Sequence, residues 1–330
     1  MIIEKLIEKA KSNKKTIVLV ETDDLRTLEA ASMVKEKDFA NIILVGKDNE
    51  IKSLAKNNNI DIENIKIIDP EISELTNELI DKFYEIRKSK GMTLEESNNI
   101  IKNDYLYFGC MLVYMDYADG LVAGATHSSS DVLRAALKTV KTAPDSKIVS
   151  SFFLMELDNK NLGSNGLFIY SDCGMIQNPT SEELVNIAYS SQETFKNLVG
   201  DIPKIAFLSH STNGSSKCDD VDKVKNAVNS FKEEYPDIIA DGELQLDAAI
   251  IPEITKSKFP NSKIQGDANI LIFPDLDAGN IAYKITERMA NAKAYGPITQ
   301  GIKKPINDLS RGCNANDIVG VIAITCNQAK

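Results

Sequence analysis

Five arginines, Arg26, Arg87, Arg134, Arg288 and Arg311, stand among 38 basic residues, and the other 33 are lysines. A chain that fills its solvated basic positions with Lys places Arg where a planar, permanently charged fork is needed. Such a fork grips phosphate or carboxylate at two points, which an ammonium cannot do. Arg134 lies one turn after Thr-His-Ser-Ser-Ser-Asp, Arg311 within Asp-Leu-Ser-Arg-Gly-Cys, Arg87 before Lys-Ser-Lys-Gly, and Arg288 after Pro-Asp-Leu-Asp-Ala-Gly. Arg26 is left out of this pattern. Any one of the four is equally a structural arginine in a Lys-biased chain. Together they indicate an anionic, phosphorylated ligand.

Two segments could hold it. Residues 124–134 (GATHSSSDVLR) follow an apolar run and open a helical one. A small-residue turn lets backbone approach a ligand, and a helix N-terminus offers free N–H groups and the positive end of its dipole. Thr126, Ser128 and Ser129 add hydroxyls, Arg134 can reach back, and His127 is the better placed of two histidines; His210 reads as a loop residue. No Gly-Lys-Ser/Thr follows, so this is not a nucleotide P-loop. The alternative is an ordinary capped helix start. Residues 307–317 (NDLSRGCNAND) bring Ser310, Arg311, Cys313 and Asp317 within eight positions. An Asp beside Arg is a weak base unless a cleft raises its pKa. Asp317 is equally a plain helix cap. Residues 266–280 and 240–247 each place carboxylates at a strand's end, where sheets bind ligands; those of 240–247 read more simply as caps of the next helix. A Ser310 or Cys313 nucleophile would need a paired base, and the two histidines show no such pairing.

The elements that position these residues alternate. Apolar runs at 16–20, 42–45 and 65–68 read as buried parallel strands, and 24–37, 74–90, 93–102 and 130–140 as helices. Thr93 and Glu96 form a capping box. Residues 111–115 and 120–123 are further apolar segments. Near residue 145 the rhythm changes: 147–157 and 167–171 look like a hairpin around a polar loop. Helices at 181–199, 220–234, 246–256 and 278–292 then alternate with strands at 205–208, 238–241 and 270–273. Residues 317–326 are apolar enough for a buried strand or a core helix. The pattern implies two α/β domains with mainly parallel sheets, a boundary near 145 and a ligand cleft between them.

Composition narrows the function. The length of 330 residues suits two domains, and 43% apolar with 26% charged residues is ordinary for a soluble chain. A net charge of −10 argues against a general nucleic-acid binder. The charged N-terminus carries no signal core, no apolar stretch spans a bilayer, and five scattered cysteines without C-x-x-C spacing fit free thiols in a reducing cytoplasm. Two histidines exclude a His-rich metal site.

At residues 84–93, 119–134, 240–247, 269–280 and 309–317, in that order, the sequence resembles the phosphate acetyltransferases, relatives of the phosphate butyryltransferases. The likeness covers essentially the whole chain, and the wording at 119–124 and 310–313 looks like the acetyl branch. The resemblance implies reversible exchange of acetyl-CoA plus phosphate for acetyl phosphate plus CoA, in a cytoplasmic homodimer with no metal and no resident cofactor. It implies two three-layer α/β domains like those of isocitrate and isopropylmalate dehydrogenases. Residues 1–145 with 300–330 would form the first and 146–299 the second, closing the cleft. Carried onto this chain, Asp317 would take the proton from the CoA thiol. Ser310 and Arg311 would hold and polarise acetyl phosphate. Arg134 and the loop with Thr126, Ser128 and Ser129 would bind phosphate, and Arg87 and Arg288 would meet phosphates of CoA or of the acyl phosphate. Competing readings are a butyryltransferase, a ping-pong enzyme acylated on Cys313 or Ser310, a nicotinamide-dependent dehydrogenase lacking the G-x-G-x-x-G signature, and a noncatalytic acetyl phosphate or acetyl-CoA binding protein.

Overall fold

The computed structural model describes residues 1–144 and 146–329. The chain opens with α1 (Ile2–Lys11), β1 (Lys15–Leu19), α2 (Leu25–Lys37), β2 (Ala40–Val45), α3 (Asp48–Asn57) and β3 (Lys66–Ile68). Next come α4 (Thr76–Arg87), a single 3₁₀ turn, α5 (Leu94–Asn103), α6 (Tyr105–Tyr114), β4 (Gly120–Val122) and α7 (Ser129–Thr139). A second stretch runs β5 (Ser150–Glu156), β6 (Leu167–Ser171), α8 (Ser181–Leu198), β7 (Lys204–Leu208), α9 (Asp219–Glu234) and β8 (Ile239–Leu244). It continues through α10 (Leu246–Ile250), α11 (Pro252–Lys258), β9 (Ile270–Ile272), α12 (Leu276–Met289) and β10 (Lys293–Gln300). The chain ends with β11 (Ile306–Asn307) and α13 (Ala315–Gln328). Residues 1–144 and 302–329 form one compact unit and 146–301 another. The boundary expected at residue 145 falls outside the described residues. No described helix is long and apolar enough to cross a membrane.

The first unit carries a parallel sheet in the order β11-β4-β1-β2-β3. β1 is central; the chain builds β2 and β3 on one side of it and later adds β4 and β11 on the other. The order therefore reverses between β1 and β4, and the loops leaving their carboxyl ends frame the crevice where such sheets bind ligands. Ile17, Val18, Leu19 and Leu121 are inaccessible to solvent, as expected of strands covered on both faces. α6 is buried almost all round, from Leu106 to Val113, and its Gly109 allows closest approach: a Cβ there would stand 2.6 Å from Val20 Cγ1 and 2.7 Å from Leu121 Cδ1. The second unit has a mixed sheet, β10-β5-β6-β9-β7-β8, in which β10, β5 and β6 pair antiparallel and the rest parallel.

The hairpin expected around residues 158–165 is the β5–β6 pair. The open choice at 317–326 resolves as helix, inside α13. Other expectations are corrected. Residues 111–115 are the end of α6, not a separate apolar segment. The helix expected over 246–256 is two, because Pro252 holds Ile251 extended and itself starts α11. The strand expected at 238–241 runs from Ile239 to Leu244, so Asp241 and Glu243 lie inside it and not in a loop beyond it. Asp241 there accepts from Ser262 Oγ and the Lys263 N–H, and Glu243 from Ser211 Oγ and the Gly214 N–H, all at 2.7–2.8 Å. Both carboxylates tie loops of the second unit together and neither caps a helix. α3, β10 and β11 have no counterpart in the sequence reading.

The contact at Gly109 yields a test. Ala favours helix over Gly by about 1 kcal/mol, yet Gly109→Ala drives a methyl into Val20 and Leu121. Overpacking of this kind costs about 1–3 kcal/mol. The variant is expected to lower the denaturant midpoint at unchanged m-value, whereas a raised midpoint would mean that α6 shifts freely on the sheet.

Candidate functional site

The turn after β4 is the expected phosphate cradle, and its anion is already present within the chain. Glu21, just beyond β1 and 3% exposed, places its carboxylate against the backbone N–H groups of Gly124, Ala125, Thr126 and His127 at 2.8–3.0 Å. Thr126 Oγ1 donates to it at 3.1 Å, and His127 Nδ1 lies 2.9 Å away. The reading of free N–H groups at 124–127 is therefore corrected: they converge on a side chain. Burial would raise the Glu21 carboxyl, but the His127 ring and the loop N–H groups outweigh it and pull the pKa down to about 2. The same bond raises His127. Gly124, at φ +116°, leaves no room for a Cβ, which would lie 2.1 Å from Asp308 Oδ1 and 2.6 Å from the Leu309 nitrogen. The turn thus needs glycine both for its backbone angle and for its neighbour.

The other half of the site is the segment after β11. Asp308 is inaccessible to solvent, and neither carboxylate oxygen has a hydrogen-bond partner of normal geometry. Burial pushes its pKa up to about 7, with the Ser129 hydroxyl and Leu309 N–H offsetting only part of that. Ser310 is half-buried and Arg311 exposed; the Arg311 guanidinium makes no hydrogen bond or ion pair among the described residues. Asp317 stands third in α13, in a capping box: Asn314 Oδ1 accepts from the Asp317 N–H at 3.1 Å, and Asp317 Oδ2 from the Asn314 N–H at 2.9 Å. The cap is Asn314, with Asp317 its reciprocal partner. Cys313 is buried beside Asp317, and burial pushes its thiol up to about 11. It is a poor nucleophile at neutral pH.

Arg26, the arginine without a suggestive sequence setting, joins the two halves. Its Nε and Nη2 bind the Asp24 carboxylate at 2.9 and 2.6 Å, and its Nη2 donates to the Ala125 carbonyl at 3.0 Å. Its Nη1 donates to the carbonyls of Arg311 and Cys313, each at 2.9 Å. The local signal was the Asp24-x-Arg26 spacing at the start of α2, where Asp24 also caps the helix through the Arg26 N–H.

The remaining expected residues divide. Thr126 and Ser129 meet Glu21 and Asp308 as described, and Ser128 caps α7 and donates to Asp131 at 2.6 Å. Arg134 is exposed and pairs with Asp131 at 2.7 Å. Arg87 ends α4 with a buried, unpartnered Nε. Burial raises the Tyr107 phenol, and Lys138 Nζ stands 5.8 Å from the centre of its ring. Arg87 also lines a 410 Å³ hollow with Lys90 and Lys138. A larger cavity, of 830 Å³, opens at the carboxyl ends of β1 and β2, lined by Thr22, Lys47, Tyr105 and His127 among others; the sequence reading missed it. Arg288 belongs to the other unit, on the last turn of α12, with its side chain 70% exposed and 3.4 Å from Glu287. His210, also there, contacts Ser216 Oγ at 3.2 Å. Among the described residues no group of three or more His, Cys, Asp or Glu could hold a metal ion.

The Glu21 bonds make stability depend on pH in a definable window. A carboxyl whose pKa falls from 4.5 to about 2 on folding contributes about 3 kcal/mol above pH 4.5, lost as pH falls toward 2. Glu21→Gln is expected to be less stable by about that amount at pH 7 and to lose this part of the acid dependence. Unchanged acid unfolding curves in the variant would show that Glu21 is not the ionised anchor.

The chain matches the model of the phosphate acetyl/butaryl transferase family over residues 1–326. A phosphate acetyltransferase of Acetivibrio thermocellus is 53% identical over 328 residues, 99% of this chain and 98% of that protein. One of Thermoanaerobacterium thermosaccharolyticum is 52% identical over 329 residues, 100% of this chain and 99% of that protein. The crystal structure of a phosphotransacetylase from Streptococcus pyogenes, 40% identical, superposes with a TM-score of 0.92 over 99% of this chain and 98% of its own. With a match that runs through β11 and α13, and with Ser310, Arg311 and Asp317 all inside it, the chain belongs to the phosphate acetyl/butaryl transferase family.

Proposed function

We propose that the chain is a phosphate acetyltransferase that moves acetyl reversibly between CoA and inorganic phosphate by direct attack of the CoA thiolate on the acetyl phosphate carbonyl carbon. The observation that carries the chemistry is the segment 310–317. It presents an exposed Arg311 guanidinium, unpaired among the described residues, and the Asp317 carboxylate on a backbone fixed at both ends, by Arg26 and by the α13 cap. The thiol proton passes to Asp317, the C–S bond forms, and the C–O bond to phosphate breaks. Ser310 and Arg311 bear the charge that develops on the carbonyl and phosphoryl oxygens. Preorganised donors of this kind are worth most where charge appears only in the transition state. The capping bond fixes the position of the Asp317 carboxylate at the start of α13.

Phosphate recognition falls to guanidiniums more than to the loop at 124–127, whose N–H groups are engaged by Glu21. Arg87, which shares a hollow with Lys90 and Lys138, and Arg134 suit phosphates of CoA or of the acyl phosphate, and Arg288 is a further phosphate ligand of the same reading. Thr126, Ser128 and Ser129 act by shaping that loop and by what lone pairs and hydroxyls they leave toward substrate. The Cys313 thiol, raised by burial, disfavours a covalent acyl-cysteine route. The reading makes CoA, acetyl phosphate and phosphate substrates and not resident cofactors, in a cytoplasmic homodimer. Acetyl is placed before butyryl on the names of the full-length relatives.

Thioester formation from CoA and acetyl phosphate, followed by ultraviolet absorbance with butyryl phosphate in parallel, tests this directly. Turnover is expected to be faster with acetyl phosphate and to collapse in Asp317→Asn. Arg311→Lys keeps the charge but loses the fork, and is expected to lower kcat about 100- to 1000-fold. Near-normal turnover in that variant would remove Arg311 from its assigned role, and a folded wild type inert toward both acyl phosphates would remove the reaction itself.

A further inference from the structure

Arg26 is the only described guanidinium that bonds to backbone on both sides of the candidate site. It is the second residue of α2, just after the loop that carries Glu21. From there it reaches the Ala125 carbonyl in the turn after β4 and the Arg311 and Cys313 carbonyls after β11, across 99, 285 and 287 positions of sequence. All three acceptors are carbonyls, so the contact carries no side-chain specificity of its own. What it fixes is the path of the backbone. The two Nη1 bonds bracket Gly312 and set the direction in which the Arg311 side chain leaves the loop. The Cys313 N–H bonds to the Ser310 carbonyl at 2.9 Å, which closes the same turn around Ser310. Asp24 holds the guanidinium plane through two further bonds, so the fork is oriented before it meets the loops. Its side chain is about a third exposed, so its worth lies in geometry more than in burial.

We propose that Arg26 is a positioning residue for the acyl transfer: by clamping the carbonyls of Arg311, Cys313 and Ala125 it sets where the Ser310 hydroxyl and the Arg311 guanidinium stand relative to each other. The proposal rests on the acyltransferase reading above and adds a residue that touches no substrate. Lys cannot replace it. An ammonium at this place keeps the Asp24 pair but cannot reach acceptors on two loops at once from a fixed plane.

The test uses the full chain with Arg26→Gln and Arg26→Lys, measured by steady-state kinetics and by amide hydrogen exchange. A misplacement on the order of 1 Å in a positioned group costs about 100-fold in rate. Arg26→Gln is therefore expected to lose about that factor in kcat, with KM for CoA and acetyl phosphate changed far less, and Arg26→Lys to recover only part of it. Exchange should quicken at residues 309–316 and 124–127 while the amides of β1 and β2 stay as protected as in the wild type. A kcat for Arg26→Gln within about threefold of an active wild type would overturn the proposal alone. So would quickened exchange throughout the first unit, because Arg26 would then be a general stability residue. A wild type with no turnover on any acyl phosphate would overturn it together with the acyltransferase reading, so the two failures are distinguishable.

Discussion

The first unit is organised around one buried charge. Glu21 leaves the end of β1 and is caught by four consecutive N–H groups beyond β4, two strands that are neighbours in space and 103 residues apart in sequence at their first contact. Parallel sheets of this kind present such N–H groups to a ligand's phosphate. Here the protein supplies the anion itself, and Glu21 engages the loop's N–H groups from within the chain. A buried carboxylate that stays ionised needs its acceptor capacity filled, and the loop fills that of Glu21 largely with backbone donors.

From that fixed loop the rest of the site follows by contact. Gly124 lies directly against Asp308, so the turn and the segment after β11 are shaped to each other. Arg26 adds a second tie from the same β1–α2 loop, and the Asn314–Asp317 box fixes the start of α13. Between these anchors the Arg311 side chain has no hydrogen bond or ion pair among the described residues. On the proposed reading, rigidity lies in the backbone and the guanidinium is left open to substrate, the distribution preorganised catalysis requires.

Much of this was legible in the sequence, and the parts that were not share a physical cause. The alternating elements, the capping box at Thr93, and the segments 124–134 and 307–317 announce themselves through local periodicity and turn chemistry. Glu21 does not. In Val-Glu-Thr-Asp-Asp it reads as the polar end of a strand, and its meaning depends on a loop reached only through the fold. Arg26 shows its Asp24 partner locally but none of its three carbonyls, because carbonyls leave no trace in residue type. Pro297 conceals β10, since proline within an apolar run argues against a strand; the structure accommodates it at a register shift between Tyr295 and Ile298. Asp241 and Glu243 mislead in the opposite sense: charged residues flanking a glycine look like a surface turn, and both are only 2% exposed inside β8.

The return of the chain to the first unit has a consequence for biosynthesis. β11 is the outer neighbour of β4, Asn307 bonds to Thr325 of α13 at 2.8 Å, and α13 lies against α1 and α2. The second unit is one continuous stretch and can fold as it emerges from the ribosome. The first cannot be completed until its last helix, Ala315–Gln328, has been delivered. Until then β4 is an open edge, which is an invitation to wrong pairing, and Ser310, Arg311 and Asp317 do not yet exist. The edge of β4 therefore stays unpaired from its own synthesis until β11 has been made.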